Sequence, residues 1–121
     1  MSIYKTKKQK RVRRHLRLRQ KISGSAERPR FCVSVTLNNI YCQFIDDVNG
    51  CTVASTSTLS PDFKGTKATG NLAGAEILGK IAAEKAIAAG VKTVVFDRGG
   101  FRFHGRIKAI AEAARKTGLK F

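Results

Sequence analysis

Between Lys5 and Lys21 ten of seventeen residues are Lys or Arg and none is acidic. Such a run repels itself and owns too little apolar surface to offset the entropy of ordering, so it stays outside any core and leaves folding to the rest of the chain. Residues 1–30 hold twelve of the 24 basic side chains and one of the eight acids, Glu27. A formal +11 therefore sits in the first quarter of a 121-residue chain and +5 in the remainder. The natural partner of that charge is a polyanion. The remainder is large enough for one core, giving a basic arm over residues 1–27 and a single α/β domain over residues 28–121.

The arm has no Gly or Pro from Lys5 to Ile22 and sets Val12 with Leu16, and Leu18 with Ile22, four residues apart, so it is predicted to form a helix. With cations on nearly every side, that helix is better supported along phosphates than alone in water, and the arm is expected to be disordered, or helical on RNA. A membrane surface would ask for a broad face of Trp, Phe or Leu, which the arm lacks. A mitochondrial presequence would be amphipathic and removable, a weaker fit. No run of 18 apolar residues and no secretory signal is present, so a soluble, intracellular protein is expected. Cys32, Cys42 and Cys51 are spaced for neither a metal pair nor a disulfide framework and read as reduced, mostly buried strand residues.

Arg28-Pro29-Arg30 forces an extended entry into the domain. Phe31, Val33 and Val35 alternate with Cys32, Ser34 and Thr36 as a strand with one apolar face. Asn38-Asn39 suits a two-residue turn into a second strand, Ile40 to Asp46; Asn49-Gly50 reverses the chain into a third, Cys51 to Ser57. Ser60 to Gly70 reads as a loop. An alanine-rich helix runs from Asn71 to Ala89, with Leu72, Ala75, Leu78, Ala82, Ala86 and Ala89 as its stripe, Glu76 facing Lys80, and Gly90 as its stop. Val91 to Phe96 is almost wholly apolar, as in a strand buried on both faces or at a sheet centre, and the crossover makes it parallel. Ile107, Ile110, Ala111 and Ala114 mark a last helix, with Glu112 facing Lys116 and Gly118 ending it. The fold class is α/β: a mixed four-stranded sheet with its helices mainly on one face.

Two stretches offer chemistry. Lys7, Lys8, Lys10, Arg11, Arg13, Arg14, His15, Arg17, Arg19 and Lys21 of the arm are candidates for phosphate contact. The loop Asp97 to Arg106 joins the fourth strand to the last helix, where α/β sheets bind ligands. Its Gly99, Gly100 and Gly105 permit close backbone approach to a phosphate, Arg98 and Arg106 are suited to grip one, and Phe101, Phe103 or His104 offers stacking, although packing beneath the loop suits at least one of the two phenylalanines better. Gly65 to Gly70 has phosphate-loop spacing but is followed by Asn71-Leu72 in place of Lys and Ser or Thr, so it is a plain loop. Asp46-Asp47 read as solvated turn residues. A magnesium nuclease would gather several carboxylates; Asp97 and Glu76 are candidates, but the first strand supplies no acid. A DNA-binding module is the other rival. No cofactor, metal or small-molecule substrate is called for.

The run Val94-Val95-Phe96-Asp97-Arg98-Gly99-Gly100, followed by His104-Gly105-Arg106, resembles the signature of the bacterial-type large-subunit ribosomal protein eighteen family. Ala113-Ala114-Arg115 and Gly118-Leu119 continue the likeness, and Glu27-Arg28-Pro29-Arg30 and Ile40-Tyr41-Cys42-Gln43 resemble its other blocks in the same order. The resemblance covers essentially the whole chain. It implies a ribonuclease H-like mixed sheet with a flexible basic arm, binding to 5S rRNA, and attachment of that RNA to 23S rRNA in the central protuberance among neighbouring large-subunit proteins. It also implies that Arg98, Gly99, Gly100, His104, Gly105 and Arg106 face RNA with the arm, and favours Arg28 and Arg30. One departure stands out: the first hairpin, Ser34 to Asn39, carries no positive charge where the family often has one. Bacterial cytoplasm and an organelle suit such a chain equally.

Overall fold

The computed structural model describes residues 6–36, 39–65, 71–101 and 105–121. Its elements in chain order are α1 (Lys7–Lys21), β1 (Arg30–Val35), β2 (Ile40–Asp46), β3 (Cys51–Ser57), α2 (Pro61–Lys64), α3 (Leu72–Ala88), β4 (Val95–Asp97) and α4 (Arg106–Thr117). The strands lie in the order β3-β2-β1-β4, antiparallel except for the parallel pair β1 and β4. This is the mixed four-stranded sheet expected from the pattern of elements.

Alternation along the strands produces a one-sided core. Phe31, Val33, Ile40, Cys42 and Phe44 are fully buried, while Ser34 and Gln43 on the other face are exposed. Small residues of α3 (Ala75, Ala82, Ala83, Ala86) and Ile110 and Ala114 of α4 join the same core, so both helices cover the Phe31 side. Phe31 stacks on Phe44 with ring centroids 4.5 Å apart and meets Phe96 and Phe121 edge-on. Each fully buried side chain of this size contributes about 1.5–3 kcal/mol.

Several expectations shift. The apolar run from Val91 does not lie at the sheet centre: β4 is an edge strand of three residues. Before it, the Val94 N–H donates to the Lys120 carbonyl at 3.0 Å and the Lys120 N–H to the Lys92 carbonyl at 3.1 Å, so the chain's last residues supply the burial. An apolar run does not distinguish a central strand from an edge covered by a tail. The segment after Ser60 is not all loop, because α2 forms there and buries Phe63. Leu72 and Ala89, the ends of the predicted stripe on α3, are exposed. Glu112 lies 4.0 Å from Lys108, one turn earlier than the expected Lys116. In the first hairpin, where Asn38-Asn39 is expected to turn, Val35 pairs with Ile40 and the Thr36 N–H donates to the Asn39 carbonyl at 2.8 Å. Leu37 and Asn38 lie outside the described residues. Of the three cysteines only Cys42 is fully buried; Cys32 is half-buried and Cys51 exposed.

Candidate nucleic-acid interface

The predicted arm helix is present and begins with a capping box: the Thr6 hydroxyl accepts from the Gln9 N–H, and the Gln9 side chain accepts from the Thr6 N–H, both at 3.1 Å. Its partners here are protein groups. α1 lies over the sheet face that α3 and α4 leave open, and Arg11, Val12 and His15 surround a hollow of about 220 Å³ with Cys32, Ser34, Gly99 and Phe101. Arg14 Nε donates to the Gly100 carbonyl at 3.0 Å, and the Arg11 guanidinium sits 4.5 Å over the Phe101 ring. Phe101 is half-buried against the core, the packing role rather than an open stacking platform.

An arginine between two aspartates ties the helix to the domain. Arg30, which the resemblance favours as RNA-facing, is instead 7% exposed. It donates to Asp97 at 2.6 Å and to Asp47 at 3.0 and 3.2 Å. Asp97 also meets His15 Nε2 at 3.0 Å and accepts from the Gly99 N–H at 2.9 Å. Asp47 accepts from Arg19 at 3.3 and 3.4 Å and from the Gly24 N–H at 2.7 Å. The Asp46-Asp47 pair is therefore not a solvated turn, since Asp46 is 2% exposed and accepts from the Val48 and Asn49 N–H groups. Burying a charge is tolerated only with partners of this kind.

These contacts set the pKa shifts. Hydrogen bonding from Arg30, with smaller help from Gly24 and Arg19, lowers the Asp47 carboxyl to about 2. Burial alone would raise Asp97, but the Gly99 N–H, His15 and Arg30 outweigh it and hold it below the ordinary carboxylate value. Burial likewise works against the Arg30 charge, and the two aspartates overcome it and raise its pKa. Burial, aided by nearby Asp97, pushes the Cys32 thiol up to about 11.

His15, Cys32 and Asp97 bring three possible ligand atoms within 4.8 Å of one another, a grouping invisible at their spacing in the chain. The Arg30 guanidinium already holds the Asp97 oxygen that His15 uses, so a cation occupies the place a metal ion would take. The group is an ion-pair cluster. Among the described residues Asp97 has no free carboxylate partner there, and Glu76 lies on the other side of the sheet, over the hollow between α3 and α4. The two acids of the nuclease reading are thus kept apart.

The glycines of the signature loop also change meaning. A Cβ on Gly100 would collide with the Arg11 carbonyl and crowd the backbone of His15, and one on Gly99 would meet the Val33 carbonyl at 2.7 Å. Both sit at positive φ. The close approach expected for a phosphate is made by α1 and β1 instead. Among these three glycines, only Gly105 has none of the described residues beyond its chain neighbours within 4 Å of an added Cβ.

Most of the remaining described candidates lie at the surface. Lys7, Lys8, Lys10, Arg13, Arg14 and Arg17 are exposed on α1, and Lys21 ends the helix. Arg14, Arg17 and Leu18 share a hollow of about 230 Å³ with Arg98, so arm and loop converge on one cationic recess. Arg28 is exposed beside the Val94 carbonyl, and Arg106 is half-buried at the start of α4. His104 lies outside the described residues. A hollow of about 400 Å³ between α3 and α4 mixes Glu76 and Glu112 with Lys80 and Lys116 and suits no polyanion. The sequence pattern did not point to Asp47 or Gly24; the usable signal was an acid in a chain with so few.

A one-sided α/β sheet whose open face carries a docked cationic helix defines a basic module built to meet a polyanion. Residues 5–121 match the family model described as "Ribosomal L18 of archaea, bacteria, mitoch. and chloroplast". The chain is 55% identical over 121 residues to the large ribosomal subunit protein uL18 of Ruminiclostridium cellulolyticum, covering 98% of this chain and 99% of that one. It is 50% identical to the proteins of the same name from Aquifex pyrophilus, covering 97% of each chain, and Moorella thermoacetica, covering 100% of each. The chain belongs to the ribosomal L18 family.

Proposed function

We propose that the protein is a structural, non-catalytic constituent of the large ribosomal subunit that binds 5S rRNA and helps attach it to 23S rRNA in the central protuberance, beside neighbouring large-subunit proteins. The observation that carries this reading is the recess where Arg14 and Arg17 of the arm meet Arg98 of the signature loop. Three guanidiniums from two elements suit the closely spaced phosphates of a folded RNA better than a single extended strand. Their bidentate donors fix orientation, while the outer lysines of α1 add long-range attraction that carries no sequence information. The ribonuclease H-like label for the fold belongs to the same reading.

A gel-shift competition of 5S rRNA against transfer RNA at two salt concentrations tests it. The 5S transcript should compete better at both, with affinity falling steeply as salt rises. Equal competition by transfer RNA would remove the proposed partner.

A further inference from the structure

We propose that Asp47, Asp97 and Gly100 are positioning residues for RNA binding, forming a socket that fixes the direction in which α1 leaves the domain and hence which phosphates its outer face reaches. This rests on the RNA-binding reading above. It gives a purpose to two carboxylates and a glycine that direct contact with RNA does not explain.

The socket holds the helix at points spread along its length. The α1 backbone at Arg11 and His15 rests on Gly100, with no space for a Cβ between them. Arg14 bonds the Gly100 carbonyl, His15 meets Asp97, and Arg19 meets Asp47. Arg11 to Arg19 spans about two turns, roughly 12 Å of helix, enough to fix both tilt and rotation. The linker is seated as well: Asp47 accepts from the Gly24 N–H and returns its own N–H to the Gly24 carbonyl at 3.1 Å. A side chain at Gly24 would strike the Ile45 carbonyl and the Arg30 backbone. Outside these contacts Lys7, Lys8, Lys10 and Arg17 remain exposed.

Coulomb attraction alone gives the opposite expectation, because deleting an acid from a polyanion-binding surface should tighten binding. A socket reverses the sign: when only a fraction of molecules holds α1 in the competent direction, apparent affinity falls by that fraction. The test measures binding of the full chain to 5S rRNA at two salt concentrations for the wild type, Asp47→Asn, Arg19→Gln, Lys10→Gln and the double variant Arg19→Gln/Asp47→Asn, with thermal unfolding of each. Asp47→Asn should weaken binding about tenfold, as expected if the competent fraction drops to roughly a tenth. Its salt dependence should become shallower by about one unit of slope, the loss of roughly one phosphate contact.

In the Arg19→Gln background most of the Asp47→Asn effect should disappear. Arg19→Gln should cost more than Lys10→Gln, which removes the same charge from α1 outside both the socket and the recess; that comparison holds even if Asp47→Asn fails to fold. Unchanged or tighter binding by Asp47→Asn, an equal loss in both backgrounds, or a Lys10→Gln loss as large as that of Arg19→Gln would overturn the socket. Failure of the wild type itself to select 5S rRNA would instead overturn the functional reading.

Discussion

At the scale of single residues, the stability of the arm junction is set by acids rather than by the cations that dominate the composition. Asp97 is fully buried, and it is the carboxylate that Arg30 and His15 share. Asp97→Ala leaves the Arg30 charge half-satisfied and should cost about 3–5 kcal/mol in urea unfolding, the usual penalty for breaking a buried pair. Asp47 predicts a pH window. Its folded-state pKa of about 2 lies below the value near 3.9 of an unfolded chain, so its contribution is fully present above about pH 4 and is lost as pH falls towards 2. The stability difference between wild type and Asp47→Asn should therefore shrink over that interval; a difference that stays constant from about pH 5 to 2 would exclude the ion pair as its source. None of these pairings was legible in the sequence, because residues 15, 19, 30, 47 and 97 meet only through the register that aligns Cys32 with Asp97 and Arg30 with Ile45.

At the scale of elements, the helices were the most readable part. The alanine spacing of α3 and the Ile107/Ile110 stripe of α4 follow directly from helical periodicity, and both helices end at the glycines expected to stop them. What periodicity did not reveal is how closely the two helices approach. Gly79 lies in the middle of α3, where Ala would ordinarily be favoured by about 1 kcal/mol. Here an added Cβ would stand 2.6 Å from the Ile110 carbonyl and 3.0 Å from Ala113 Cβ. Gly79→Ala should consequently destabilise the protein by about 1–3 kcal/mol, an overpacking penalty that exceeds the propensity gain, as read by chemical denaturation. Strand β4 departs from its expected central place for a related reason: burial by a returning tail and burial by neighbouring strands leave the same apolar composition.

On the scale of the whole molecule, exposed acids interrupt the cations of α3 and α4 but not those of α1. Glu76, Glu84 and Glu112 lie exposed on α3 and α4, Asp47 and Asp97 are tied to arginines, and the cations of α1 and Arg98 gather on the other side. Acetylation of lysines in the RNA complex should therefore be suppressed at Lys7, Lys8 and Lys10 and hardly changed at Lys80 and Lys116; uniform suppression would contradict a one-sided interface. The sequence conveyed the charge excess and the arm but not which side each group takes, which depends on where the crossover helix falls. The position of Phe121 carries a consequence of its own. Its ring stacks on Phe96 at 5.6 Å and meets Phe31 edge-on, with Arg115 above it. The domain accordingly keeps an unfinished interior until the segment beyond α4 folds back and seats that ring, so closure of the core waits on a contact between the first strand and the stretch after the last helix.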